Sequence, residues 1–179
     1  MKPHHWPCIA LAALLFATPC LARAEDDQTV SAFVNSCFQY LDKPGELAAR
    51  LDTTAQRLEG RQAQKFLVGR AGKAWLMSFE DRLYGFALLD QGMCTMTALS
   101  GDPKAIVSDF ILLGRTAEAH SRVEWEPVST DADWEEHAYT VPDPDTPTDL
   151  HLRMLVNTAA AAPPVRAILS VGRIPDGGP

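Results

Sequence analysis

Three polar residues in the carboxy-terminal half have side chains that could bind a metal ion. His137 and His151 lie on neighbouring predicted strands, and Glu135 is on the same side of its strand as His137. Two imidazoles and one carboxylate suit Zn²⁺, which would activate a water molecule for hydrolysis. A metal-dependent hydrolase is therefore one hypothesis, although no H-x-H or H-E-x-x-H spacing accompanies these residues. Solvent-facing positions on a half-exposed sheet are the alternative interpretation.

Other catalytic patterns are missing from the sequence. No serine lies in G-x-S-x-G or S-x-x-K, and the glycines of GRAGKAW at 69–75 lack phosphate-loop spacing. Adjacent carboxylates such as Glu135 and Glu136 point to opposite faces of a strand, so they do not form a glycosidase pair. We therefore expect a protein that is not an enzyme and that needs no cofactor.

The leading hypothesis for function is binding through an exposed face of a β-sheet. Charged residues alternate with apolar ones along the carboxy-terminal strands, which predicts one dry and one wet face. Aromatic residues near the wet face can serve as contact residues, because aromatics concentrate at interface hot spots. A structural component of the cell envelope is a further alternative. The predicted binding residues are Glu124, Trp134, Glu136, Tyr139, His151 and Arg153.

The first 24 residues have the pattern of a secretory signal peptide. A lysine at position 2 precedes an apolar stretch from Ile9 to Phe16, and Ala22 and Ala24 match the A-x-A rule for signal peptidase. A membrane span needs roughly 20 apolar residues, about twice the length of this stretch. We therefore expect cleavage near Ala24 and export of residues 25–179, as a single domain without a membrane span, to the periplasm or the exterior.

The charge of the chain limits the class of partner. The chain has 16 basic and 23 acidic residues, and loss of Lys2 and Arg23 with the leader leaves 14 basic residues and a formal charge of −9. Nucleic acids and anionic membranes attract clusters of lysine and arginine, so neither is an expected partner. The expected partner is a ligand or another protein of the envelope.

Hydrophobic periodicity predicts two helices before the first strand. In residues 28–42, apolar side chains recur at steps of three and four and share one helix face, which directs Cys37 into the core. Residues 46–58 continue with helical character. The polar segment that follows predicts a loop, with Phe66 and Leu67 turned inward.

Alternation of apolar and polar side chains predicts the strands. The first three are joined by the short segments EDR and DQG, so they form antiparallel hairpins. A helix over residues 103–118, which has a favourable Asp-Pro start, separates them from the other four. The predicted strands are Lys73–Phe79, Leu83–Leu89, Met93–Leu99, Arg122–Val128, Trp134–Val141, Leu150–Thr158 and Val165–Ile174.

These elements predict an α+β fold in the order α-α-β-β-β-α-β-β-β-β. The natural packing is a single antiparallel β-sheet of six to seven strands with the helices on one face. Cys94 lies on the apolar side of its strand, the side that a helix would cover, so Cys37 and Cys94 face the same core. In an oxidising compartment we expect these two cysteines to form a disulfide, and a reactive thiol is the alternative.

Three segments together resemble small exported proteobacterial proteins of unknown function. They are FVNSCFQYL, GKAWLMS and DQGMCTMTAL with its following GD, and they contain a helical cysteine, a G-x-x-W strand and a G-x-C strand within residues 30–113. The resemblance implies a periplasmic location and the pairing of Cys37 with Cys94. It implies no activity, and residues after 120 lie outside it.

Overall fold

The computed structural model describes residues 27–143, 146–159 and 164–175, so the predicted signal peptide lies outside the described residues. Within these ranges, no helix has the length and apolar character needed to cross a membrane. The helices are α1 (Thr29–Phe33), extended by a π-helical turn (Val34–Phe38), α2 (Pro44–Thr54), α3 (Gly60–Leu67) and α4 (Pro103–Glu118). The strands are β1 (Gln56–Leu58), β2 (Gly72–Phe79), β3 (Arg82–Leu89), β4 (Cys94–Ala98), β5 (Glu124–Trp125), β6 (Ser129–Asp131), β7 (Trp134–Val141), β8 (Thr148–Asn157) and β9 (Ala167–Pro175).

A single antiparallel sheet contains every strand that the structure describes. Its order is β1-β2-β3-β4-β9-β8-β7-β5, and β6 also pairs with β7. Two meanders, β2-β3-β4 and β7-β8-β9, therefore meet where β4 pairs with β9. The predicted α+β class and the antiparallel sheet are confirmed.

The sheet has nine strands, where six to seven were expected. One added strand, β1, arises because α2 ends at Thr54 instead of continuing through predicted helix 46–58. The hydroxyls of Thr53 and Thr54 donate to the Arg50 carbonyl, which competes with the helical hydrogen bonds. The other added strand, β6, follows Pro127, which lacks an amide donor and therefore interrupts strand pairing.

The main core lies between α1, α2, α4 and one face of the sheet, which we call the core face. Phe33 of α1 and Phe110 of α4 are fully buried there. Burying side chains of this size favours folding by about 1.5–3 kcal/mol each. The sheet contributes alternate residues from its strands, among them Trp75, Tyr84, Phe86, Met96, Leu152, Met154 and Leu169.

A disulfide joins the first helical segment to the sheet. Cys37, in the π-helical turn, is bonded to Cys94 at the start of β4, and their Cα atoms are 5.4 Å apart. Both residues are buried in the main core. The predicted disulfide is therefore confirmed, and it fixes α1 and its π-helical turn against the middle of the sheet.

The expectation that all helices share one face of the sheet is corrected by α3. This helix forms in the segment predicted to be a loop, and it packs on the opposite face, which we call the open face. Ala63 and Leu67, one turn apart, belong with Ala74 of β2 to a second, smaller core cluster. The ring of Phe66 lies directly over Gly85 of β3, where a Cβ atom would come within 2.0 Å of a ring carbon.

Asp27 connects the start of the described chain to two other elements. Its Oδ1 accepts from the amide of Thr29 at 2.9 Å, and its Oδ2 accepts from the amide of Asp102 at 2.8 Å. The Nη1 atom of Arg82 lies 2.8 Å from Oδ2. Burial acts to raise the pKa of Asp27, but its hydrogen bonds with Thr29, Asp102 and Arg82 outweigh burial and lower that pKa.

Candidate functional site

The open face has rows of side chains that cross the middle of the sheet. Thr95 of β4 is in register with Ser170 of β9, and Ser170 is in register with Arg153 of β8. The next row, two residues along each strand, consists of Thr97, Ile168 and Leu155. Because side chains alternate along a strand, all of these point away from the main core.

A groove of about 940 Å³ lies over these rows. The α3 segment contributes one part of its lining, and strands β4, β8 and β9 contribute another. The volume is near the upper end of the range of about 300–1,000 Å³ that is usual for ligand sites. Most of the lining is apolar, and the large apolar side chains include Phe66, Leu76, Met93, Leu99, Leu155 and Ile168.

The ionisable side chains that line the groove are all basic. Lys65 and Arg70 come from α3 and the turn after it, and His151 and Arg153 come from β8. Among the described lining residues there is no aspartate or glutamate, although the whole chain has 23 acidic and 16 basic residues. The groove is thus a basic region in an acidic protein, and such a region favours anions.

Two of the basic side chains pair with carboxylates outside the groove lining. Arg153 Nε donates to Glu136 Oε1 on β7, and His151 Nε2 lies 2.9 Å from Glu126 Oε1. The hydrogen bond between Arg153 and Glu136 lowers the pKa of the glutamate and raises the pKa of the arginine. This pair therefore stays charged at neutral pH and holds Arg153 at one side of the groove.

Five of the six predicted binding residues occupy positions on the open face. His151 and Arg153 line the groove, and Glu136 contacts Arg153. Glu124 is in register with Thr140, and Trp134 is in register with Asn157, both of which are open-face positions. Neither Glu124 nor Trp134 belongs to the groove lining.

Tyr139, the sixth predicted binding residue, lies on the core face. It is 1% exposed and its ring packs against Phe110 and Trp125, with centroids 5.3 and 4.8 Å away. Burial raises the pKa of its hydroxyl well above the ordinary value. Tyr139 is therefore a core residue and does not take part in contacts at the open face.

The three residues of the metal hypothesis lie on opposite faces of the sheet. His137 and Glu135 are on the core face, where His137 Nε2 lies 2.6 Å from Glu135 Oε1. His151 is in register with Thr140 on the open face. In the part of the chain that the structure describes, no group of three His, Cys, Asp or Glu side chains could hold a metal ion. The hydrolase hypothesis therefore has no assembled site.

Part of the groove comes from residues that the sequence analysis did not select. Lys65, Phe66 and Arg70 belong to the segment predicted to be a loop, in which Phe66 was expected to turn inward and neither basic residue had a predicted face. Gly85 offered the available signal, since a glycine inside a strand often marks the close approach of another segment. Here that segment is α3, through the ring of Phe66.

Comparison with known proteins gives no relative from which a function could be inferred. No protein-family model matches the chain, and neither a curated protein nor a solved structure is significantly similar to it. The resemblance of residues 30–113 to small exported proteobacterial proteins therefore stays a prediction.

Proposed function

We propose that this protein is an exported, non-enzymatic domain that binds a ligand in the groove of the open face. The groove is the observation that carries the proposal, because concave, mostly apolar sites with a few placed polar groups are the usual form of ligand sites. His151 and Arg153, which alternation along β8 assigns to the wet face, both line it. The lining residues from α3 form a second wall, so that the predicted contact surface on the sheet becomes part of a groove.

The construction of the groove floor supports a preorganised site. Strands β4, β8 and β9 are internal to the sheet and pair with neighbours on both sides. The disulfide at Cys94 further holds β4 to the helical layer beneath it. A ligand that binds to such a floor loses little affinity to ordering of the protein.

Export to the periplasm is part of the same proposal. Its support is the signal-peptide pattern of the first 24 residues together with a buried disulfide, because disulfides persist in oxidising compartments. The proposed exported domain is residues 25–179. The domain would bind its ligand outside the cytoplasm.

Photo-cross-linking inside cells tests the proposed binding surface. A benzophenone amino acid replaces Ile168 on the groove floor, and in a matched control it replaces Leu112, which is 62% exposed on α4 beyond the opposite face. We expect light-dependent adducts, detected by intact mass, from position 168 and none from position 112. Absence of an adduct at 168, or equal labelling at both positions, would contradict binding in the groove.

A further inference from the structure

The groove changes in character along its length. At the end where β4 begins it is lined by Arg70, Met93 and His151. At the opposite end, beyond the last residues of β4, it is lined by Leu99 and Val165. The end where β4 begins therefore has two basic side chains, Arg70 and His151, whereas Leu99 and Val165 at the other end are apolar.

Two basic side chains that line the groove, Lys65 of α3 and Arg70 of the turn after it, are available for a ligand. Within the described residues, neither Lys65 nor Arg70 has a carboxylate at ion-pair distance. Arg70 Nη1 instead contacts the thioether of Met93 at 3.7 Å, and a thioether is a weak acceptor. A guanidinium in this position can donate two parallel hydrogen bonds to a carboxylate.

The floor of the groove favours a ligand that needs no backbone hydrogen bonds. A peptide that binds as an added strand requires a free sheet edge, and of the edge strands β1, β5 and β6 only β1 contributes described residues to the lining, Gln56 and Leu58. The floor strands β4, β9 and β8 have their backbone groups paired within the sheet. An alkyl chain lying on Leu155 and Ile168 requires only apolar surface.

We infer that the groove binds a long-chain carboxylate, the free anion of a fatty acid. The carboxylate lies at the end that contains Arg70, with Lys65 as a second cation on the α3 side, and the alkyl chain extends toward Leu99. This inference rests on the proposed function and narrows it to one class of ligand. Lys65 and Arg70, which have no carboxylate partner among the described residues, are the charge complementarity that selects an anion over a neutral or cationic amphiphile.

Calorimetric titration of the purified, disulfide-bonded protein tests this ligand class. The ligands are dodecanoate and dodecyltrimethylammonium, each below its micelle-forming concentration, and 1-dodecanol below its solubility limit. We expect dodecanoate to bind one molecule per chain, and both other amphiphiles to bind at least about tenfold more weakly, because they lose a charge-assisted hydrogen bond. Equal affinity for dodecanoate and 1-dodecanol, or no binding of dodecanoate, would overturn the inference.

Two double variants of matched chemistry locate the carboxylate. Lys65→Gln/Arg70→Gln removes the two groove-lining cations of α3 and the turn after it, and Lys104→Gln/Arg115→Gln removes the same two residue types from exposed positions on α4. We expect the first variant to bind dodecanoate no better than 1-dodecanol, and the second to bind as the unmodified protein does. Equal losses in both variants would place the carboxylate elsewhere and overturn the inference, and circular dichroism verifies that both variants are folded.

Failure of the fatty-acid inference can be distinguished from failure of the proposed binding function. Ser170→Trp places an indole on the groove floor and is expected to abolish dodecanoate binding, so unchanged binding in this variant would overturn the inference. If dodecanoate does not bind but the probe at Ile168 still forms adducts with a peptide or another ligand, the fatty-acid inference falls and the groove remains the binding site. If neither occurs, both fall.

Discussion

At the scale of single residues, the contact between Asp27 and Arg82 is the most deeply buried ion pair that the structure describes. The side chain of Asp27 is 1% exposed and that of Arg82 is 21% exposed. The same carboxylate accepts two backbone amide hydrogen bonds, from Thr29 and Asp102. Removing its charge therefore leaves a partly buried guanidinium without compensation.

Asp27→Asn is expected to lower the free energy of unfolding at pH 7 by about 2–3 kcal/mol. The pKa of Asp27 is below its ordinary value of 3.8 in the folded state, so its stabilising effect is complete above about pH 5 and is lost as the pH falls through the folded pKa. The difference between Asp27→Asn and the unmodified protein should therefore shrink in acid. Urea unfolding at a series of pH values measures it.

Asp90→Asn is the matched control for this prediction, because Asp90 is exposed in the turn between β3 and β4. Its unfolding free energy should follow that of the unmodified protein at every pH. If the effect of Asp27→Asn grew on acidification, or equalled that of the control, the proposed role of this ion pair would be wrong.

The sequence alone places Trp134 and Tyr139 on different faces of the sheet. Trp134 and Tyr139 are an odd number of residues apart on one strand, so they cannot share a face of a regular strand. Placing His137 and Glu135 on one side likewise places Tyr139 with them. What the sequence could not reveal is which of these two sides α4 covers, because both sides of β7 carry charged residues.

At the scale of secondary structure elements, the position of α3 depends on Gly85. We expect Gly85→Ala to displace the ring of Phe66 and to lower the free energy of unfolding by about 1–3 kcal/mol, since the added Cβ would lie 2.0 Å from a ring carbon. Equilibrium urea unfolding measures the change. Because Phe66 also lines the groove, the same variant should weaken ligand binding.

Gly45→Ala is the control for this change, because a Cβ at Gly45 in α2 meets no atom within 4 Å. Alanine is the better helix former, so this variant should be neutral or slightly more stable. Equal destabilisation by both substitutions, or a neutral Gly85→Ala, would contradict the close contact between α3 and β3.

Helices α3 and α4 show why one helix was predictable and the other was not. The α4 range, Pro103–Glu118, agrees with the predicted residues 103–118, because a capping aspartate, a proline at the first position and a broad apolar face all indicate a helix there. The α3 segment is eight residues long, begins with a glycine and has few apolar side chains. Its helical form is stabilised by tertiary contacts of Ala63, Phe66 and Leu67, which local sequence does not reveal.

At the scale of the whole molecule, the disulfide joins the helical layer to the sheet over a sequence separation of 57 residues. Chain-entropy models value a loop of this length at about 4 kcal/mol. We therefore expect a reductant, or Cys37→Ala/Cys94→Ala, to lower the unfolding free energy by about 3–4 kcal/mol. Guanidinium unfolding with and without reductant measures the effect.

The double cysteine variant also controls for side effects of the reductant. Because this variant lacks the disulfide, the reductant should not change its unfolding free energy. Intact mass of the protein recovered from the periplasm should show the loss of two hydrogens relative to the reduced chain. Two free thiols in the recovered protein would contradict both the disulfide and the export proposal that it supports.

The groove itself could not be predicted from the sequence. It requires the pairing of β4 with β9, which are separated by α4 and four other strands and therefore have no local turn signal. Alternation places Thr95 opposite the core-facing Cys94 and Arg153 on the wet face, but only the register brings them into one row through Ser170. The alternation of side chains within a strand was thus predictable, but the site that the strands form together was not.

The most direct test of the account is to measure which methyl groups a bound dodecanoate contacts by intermolecular nuclear Overhauser effects. Leu155 and Ile168 lie on the open face, while their sequence neighbours Met154 and Leu169 lie on the core face. We expect contacts from the alkyl chain to the methyl groups of Leu155 and Ile168 and none to those of Met154 and Leu169. Contacts confined to the core-face pair, or to residues of α4, would contradict binding in the groove.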